Sequence, residues 1–228
     1  ECLLVDHLVR QQHDECREGL VAGVNLILTP IVGSGFAVAG MTSANGRCHT
    51  FDHRADGYAR AEACVCVTLL QAAEDGSTSI LSSGSAVRQD GRSASLTAPN
   101  GQAQHHLLSA AIADAGVRTT DISFSEAHGT GTALGDPIEM GSLSKAVLAD
   151  KSISRSVAVS GIKANIGHAE PAAGITGVWK LVLALIRAVS LANAQLRALN
   201  THVYTAFDVG CCVLPTELGT KQGAASAR

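Results

Sequence analysis

Along the chain, short unbroken apolar runs alternate with longer stretches in which apolar residues recur at helical spacing. Gly23-Val-Asn-Leu-Ile-Leu28 and Ala63-Cys-Val-Cys-Val-Thr-Leu-Leu70 are compact and continuous, which predicts buried strands. Ile80 to Ala86 predicts a shorter strand, 122–127 and 156–160 predict two more, and Val203 to Val213 has room for one. Helical spacing marks residues 1–18, where Leu3, Leu4, Leu8 and Val9 form one apolar side. It returns at Gln102 to Ala115, closed by Gly116 as a C-terminal cap, and again at 137–149 and 171–189. The stretch from Leu28 to Asp56 reads as loop-rich with a turn at Asn45-Gly46, Glu74-Asp-Gly76 as a turn, and 88–100 as a polar loop. Thr216 to Arg228 is rich in Gly, Ala and Ser and is expected to fray. Strands alternating with helices predict an α/β layered fold.

Composition narrows the function more than the fold. A length of 228 residues holds one sizeable domain and has space for a second. Hydrophobic residues at 46% against 16% charged favour a large core over disorder. A net charge of −3 gives no pull toward nucleic acid or anionic membrane, and 3% aromatics are too few for base stacking, so neither partner is expected. Lys180 and Arg187 interrupt the most apolar helix, which therefore reads as a core helix and not a membrane span. The seven cysteines form no C-x-x-C pair and no zinc spacing, which predicts reduced thiols in an intracellular, cytoplasmic or plastid protein and no metal. The start, Glu1-Cys-Leu-Leu-Val-Asp6, has no basic signal region, and a helix beginning at residue 1 suggests that something upstream is missing.

Two stretches carry candidate chemistry. Glu126-Ala-His-Gly-Thr-Gly-Thr-Ala-Leu-Gly-Asp-Pro-Ile-Glu139 follows a predicted strand, with His128 at its end. Its glycines allow close backbone approach, Thr130 and Thr132 add hydroxyls, and Asp136-Pro137 opens a helix with the carboxylate expected at the cap. Gly161-Ile-Lys-Ala-Asn-Ile-Gly-His-Ala-Glu-Pro-Ala-Ala-Gly174 repeats the strand-to-helix setting with Lys163 and His168. Such loops are where α/β proteins place ligands. Neutral imidazoles donating to an oxygen that turns negative, beside a cation and hydroxyls, suit carbonyl chemistry such as an enolate formed by losing carbon dioxide from a malonyl group. A single loop histidine is more often structural, by roughly two to one, and the other seven histidines, His105 and His106 among them, read as surface residues. Residue spacing alone leaves catalysis and structure about even.

The same residues carry a family resemblance. The stretch 126–139 resembles a histidine-bearing signature of β-ketoacyl synthases of the modular type I polyketide synthase branch. Lys163-Ala-Asn-Ile-Gly-His168 with Pro171-Ala-Ala-Gly174 is similar to the family's other histidine motif. Gly46-Arg-Cys-His-Thr-Phe-Asp52, Ala55-Asp-Gly-Tyr58, Ser85-Ala-Val-Arg-Gln-Asp-Gly-Arg92 and Leu96-Thr-Ala-Pro-Asn-Gly101 also resemble it, in register from Glu15 to Leu199.

The resemblance implies a thiolase-like layered αβαβα fold, incomplete here, divided into the end of an N-terminal ketosynthase half (1–76), a C-terminal half (77–199) and a weakly structured tail (200–228). It implies decarboxylative Claisen condensation of an acyl thioester with a malonyl-type extender, with acyl carrier protein as partner and a homodimer when complete. His128 and His168 would stabilise the thioester oxyanion, Lys163 would support them with Asp136 or Glu139 as counter-charge, and Thr130 and Thr132 would touch the phosphopantetheine arm. No cofactor of its own and no metal are implied, since the substrate rides on the carrier's phosphopantetheine.

Departures from the pattern are specific. The family's nucleophile sits in a Cys-Ser-Ser-Ser elbow that this sequence lacks, and Cys2 falls past that position, inside the predicted helix. The closing Gly-Phe-Gly-Gly-Thr-Asn loop is missing, and Ala61 and Ala63 stand where glycines are usual. The chain looks like a ketosynthase cut at both ends, impaired alone for want of a thiol to hold the acyl group. A carrier-docking or dimerisation remnant, an unstable fragment and a thiolase are the competing readings, the last lacking a second suitable cysteine.

Overall fold

The structure is a computed structural model and describes residues 16–71, 80–93, 98–148, 156–206 and 212–220. Strand β1 (Glu18–Asn25), helix α1 (Pro30–Val38), strand β2 (Ala63–Leu70), helix α2 (Gly101–Ala115), strand β3 (Phe124–Glu126) and helix α3 (Gly135–Leu143) come first. They are followed by strand β4 (Val157–Ser160), the one-turn helix α4 (Lys163–Ile166), helix α5 (Ala173–Arg187), strand β5 (Val189–Ser190), helix α6 (Thr201–Ala206), and the short strands β6 (Cys212–Val213) and β7 (Gly219–Thr220).

Two sheets carry the architecture. β1 and β2 pair antiparallel from Glu18 opposite Leu70 to Asn25 opposite Ala63. β3, β4 and β6 form a parallel sheet with β4 in the middle, Glu126 opposite Ser160 and Val157 opposite Cys212. The alternation rule places Val157 and Val159 on one face of β4, where both are fully buried among Phe51, Met140 and Val203. α5 lies between the sheets, and Gly23 of β1 lets it come close: a β-carbon there would sit 2.9 Å from the Ala172 α-carbon. The opposite face of the β1–β2 pair, with Leu20, Val24 and Leu70, is exposed.

Asp52 anchors the connection before β2. Its fully buried carboxylate accepts from the Arg54 guanidinium and from the N–H groups of Arg197 and Ala198, joining residues far apart in sequence. Burial pushes this carboxyl up, but Arg54 and those N–H donors outweigh it and hold it well below the usual carboxylate range.

Several sequence expectations are corrected. Residues 30–38 form α1, not loop: Pro30 opens the helix, but none of its residues is buried, so it shows no apolar stripe. Ile80 to Ala86 is irregular, held instead by Gly84 passing close to Ala115 and by the Ser85 N–H donating to Asp114. In Val203 to Val213 the described part is the end of α6, whose first turn is capped by Asn200, and the two-residue β6; residues 207–211 lie outside the described residues. The helix expected over 137–149 begins at Gly135, runs to Leu143 and widens into a π-turn over Ser144–Leu148. Residues 16–18, expected at the end of a helix, are not helical, since Glu18 opens β1; residues 1–15 lie outside the described residues, as does the turn at 74–76. The helix at 102–115 agrees, with Asn100 accepting from the N–H groups of Gln102 and Ala103 and Gly116 left-handed at φ 62°.

Met140→Ala is expected to cost about 2–5 kcal/mol in urea denaturation, because Met140 is fully buried at the centre of the core. Leu20→Glu, at a position 70% exposed, is expected to change stability by less than about 0.5 kcal/mol. Equal costs at the two positions would contradict the placement of the core.

Candidate active site

β3 and β4 run side by side, so their carboxyl ends deliver both histidine loops to one edge of the sheet. The Ala127 N–H donates to the Ser160 carbonyl at 2.7 Å, extending the ladder to the residue before His128. Glu126 then links the two loops. Its carboxylate accepts from the Ser160 hydroxyl at 2.9 Å, from the Lys180 ammonium at 2.8 Å and from the Ile162 N–H, the residue before Lys163.

The first loop is pinned by two carboxylates of α3. Glu139 accepts from the N–H groups of His128 and Gly129. Asp136 is not the helix cap that the sequence predicts. It lies in the first turn, buried, and accepts from the Phe51 N–H at 2.8 Å and the Gly131 N–H at 3.1 Å. Burial pushes Asp136 up to about 7, against those N–H donors. Burial also raises Glu139, while the N–H donors and the nearby Lys163 charge lower it. Of the two counter-charges the sequence leaves open, Glu139 is the one that feels Lys163. Gly131 has φ 76°, and a β-carbon on it would meet the His49 nitrogen at 2.6 Å, so only glycine fits there. Thr130 is buried with its hydroxyl 3.4 Å from that of Thr132, and the Thr132 hydroxyl accepts from the Gly135 N–H.

The second loop brings Lys163 and His168 against the first. Lys163 is 4% exposed, donates to the His128 carbonyl, and stands 3.5 Å from His128 Nδ1. The His128 and His168 ring centroids are 5.6 Å apart at 89°. Backbone bonds to Ala59 and Ala61 hold His168, and the Tyr58 ring packs 5.0 Å from it. Gly167 leaves room for the Ala61 side chain beside it: a β-carbon on Gly167 would lie 3.0 Å from the Ala61 β-carbon. The Glu170 N–H donates to His168 Nδ1 at 3.0 Å, which leaves the proton of the neutral ring on Nε2. Burial, with the Lys163 and His128 charges adding to it, pushes His168 down to about 4. The ring is therefore a neutral donor at physiological pH, the form an oxyanion requires.

The structure thus gathers His128, His168 and Lys163 at one place, with Thr130 and Thr132 on the same loop as His128. A cavity of about 420 Å³ touches His128 and Lys163, with Gln104, Leu108, Glu126 and Glu139 also in its lining; His168, Thr130 and Thr132 do not line it. Sequence reasoning missed Glu126 and Lys180 as a buried pair, and the signal was there: a lysine on the apolar helix, which is 4% exposed. His49, read as a surface residue, is buried against the glycine loop, because Gly131 and Cys48 enclose it. Among the described residues, no cluster of three or more His, Cys, Asp or Glu side chains has a metal-binding arrangement. No helix among them is long and apolar enough to cross a membrane.

His168 sets a sign for stability against pH. Its pKa falls from an ordinary 6.5 to about 4 on folding, so between those values the unfolded chain binds more protons. The stability linked to this ring is present above about pH 6.5 and lost as pH falls toward 4. Asp136, raised to about 7, contributes the opposite slope over this range, so in denaturation series His168→Gln is expected to make stability rise less, or fall more, with pH between 4 and 6.5 than in the unsubstituted chain; an unchanged slope would contradict the neutral assignment.

Comparison with known proteins agrees with this geometry. The family model "Beta-ketoacyl synthase, C-terminal domain" matches residues 81–197 and "Beta-ketoacyl synthase, N-terminal domain" matches 4–75. One protein of the phenolphthiocerol/phthiocerol polyketide synthase of Mycobacterium tuberculosis is 46% identical over 170 residues, covering 73% of this chain and 8% of that protein. A second protein of the same synthase and organism is 40% identical over 207 residues, covering 88% of this chain and 11% of that protein. Among solved structures, the ketosynthase from module 6 of the bacillaene synthase of Bacillus subtilis superposes with a TM-score of 0.86 at 32% identity, covering 97% of this chain and 41% of that one. The oxazolomycin ketosynthase domain from Streptomyces albus gives 0.87 at 28% identity, covering 96% and 38%. The chain therefore spans about a tenth of those curated relatives and about two-fifths of the solved ketosynthases. With both family models matched in order and the same layered α/β fold, the chain belongs to the β-ketoacyl synthase family, in its modular polyketide synthase branch, with a thiolase-like architecture.

Proposed function

We propose that this chain supplies the decarboxylating side of a β-ketoacyl synthase site, acting on a malonyl-type thioester carried by acyl carrier protein. The observation that carries this reading is the pair of imidazoles 5.6 Å apart with the Lys163 ammonium behind them. In the reaction, the bond between the malonyl carboxylate and its α-carbon breaks and carbon dioxide leaves. The electron pair moves onto the thioester oxygen, which His128 and His168 receive with N–H donors. Burial keeps His168 neutral, and the Lys163 charge adds to that effect. The enolate carbon then attacks the carbonyl of an acyl thioester, and that thiol leaves.

Thr130 and Thr132 hold the amide groups of the phosphopantetheine arm on which the malonyl group is carried. The acyl-holding thiol belongs to synthase sequence outside the described residues. Cys48 is buried, and burial raises its thiol, while Cys64 and Cys66 sit on the exposed face of β2. Cys2 lies outside the described residues. The setting is a homodimeric, cytoplasmic 3-oxoacyl-carrier synthase, with 1–76 and 77–199 belonging to its two ketosynthase halves.

Carbon dioxide release from malonyl-acyl carrier protein by the purified chain tests this. The expected result is turnover that falls about a hundredfold or more in His128→Ala and in His168→Ala. Equal release by the chain and both variants would contradict the proposal.

A further inference from the structure

The pair Arg60–Glu170 has no part in the chemistry above, yet it stands directly behind His168. Arg60 donates from Nε to Glu170 Oε1 at 2.6 Å and from a terminal nitrogen to Oε2 at 3.1 Å, a two-pronged contact that also fixes orientation. Both side chains are largely buried, at 12% and 20% exposure. The guanidinium is held on its other side, 5.5 Å over the Phe36 ring of α1. Residues 59–61 exchange backbone bonds with His168, so the arginine and the histidine belong to the same pair of strand-like segments.

What the pair holds is an unusual backbone. Glu170 has φ 45°, a left-handed conformation that a non-glycine residue adopts at a cost. The peptide joining Ala169 to this residue points the Glu170 N–H at His168 Nδ1, and the clamp on the Glu170 side chain fixes where that peptide ends. A shift of residue 170 would turn the peptide away, and Nδ1 would be free to take the proton. The Nε2–H tautomer would then lose its advantage, and the ring would present an acceptor where the reaction needs a donor.

We infer that Arg60 and Glu170 are positioning residues that lock His168 in its Nε2–H tautomer by clamping the left-handed backbone of Glu170. They touch neither substrate nor reacting atoms, and they act through His168. The inference rests on reading His168 as an oxyanion donor, but its test needs no turnover.

Long-range ¹⁵N–¹H correlation spectra of the full chain at neutral pH report the tautomer of each histidine, and His168→Gln assigns the signal. The wild-type chain is expected to show an unprotonated Nδ1. Arg60→Met is expected to lower the ratio of Nε2–H to Nδ1–H about fivefold, as loss of one hydrogen bond implies. Arg60→Lys keeps the charge without the fork and is expected to restore little, whereas the exchange R60E with E170R is expected to restore most of the ratio. If Arg60→Met does not fold, Glu170→Ala carries the test. It keeps the backbone N–H and removes the clamp while the positive φ stays costly, so the same fall is expected. An unchanged ratio in a folded Arg60→Met or Glu170→Ala chain overturns the inference. A locked tautomer in a chain that releases no carbon dioxide would count against the proposed function alone.

Discussion

One buried carboxylate holds the site together. Glu126 closes β3, and its two oxygens take the Ser160 hydroxyl, the Lys180 ammonium and the Ile162 N–H, so one side chain binds the end of β4, the core helix α5 and the start of the Lys163 turn. Its side chain is 5% exposed and that of Lys180 4%. Burial lowers the Lys180 pKa and the Glu126 charge opposes that. A pair this deep adds little to net stability compared with an apolar replacement, but removing one partner strands the other charge. Its value lies in register: the two histidine loops can meet only if β3 and β4 stop level and the turn after β4 bends toward the first loop.

A second principle runs through the site: three of its carboxylates each take two or more backbone N–H groups. Glu139 takes the N–H groups of His128 and Gly129, Asp136 those of Phe51 and Gly131, and Asp52 those of Arg197 and Ala198. Loops with few regular hydrogen bonds are held this way, and the donors of Phe51, Gly129 and Gly131 are ones that burial would otherwise leave unpaired. These loops in turn keep two imidazoles and an ammonium in a small space. Burial, with the Lys163 and His128 charges adding to it, keeps His168 neutral.

How much of this the sequence told depends on range. α2 was legible because Asn100, helical spacing and Gly116 are local signals that agree. β2 was legible as an unbroken apolar run, although one of its faces is exposed. The two histidine loops were legible as chemistry from their strand-to-helix setting, and their meeting followed from parallel pairing of β3 with β4. α1 was illegible because its helix buries nothing, so no stripe of apolar residues marks it. The segment 80–86 carried a strand-like pattern, but its contacts to the end of α2 decided otherwise. Arg60 with Glu170 and Glu126 with Lys180 are 110 and 54 residues apart, and no local rule pairs them.

The central claim is that Glu126 brings the two imidazoles face to edge. Nuclear Overhauser contacts between ring protons of His128 and His168 in the full chain test it most directly, with Glu126→Gln as the comparison. Centroids 5.6 Å apart predict cross-peaks in the unsubstituted chain and their clear weakening in the variant. No contact between the rings in the unsubstituted folded chain, or contacts that persist unchanged in Glu126→Gln, would contradict the account.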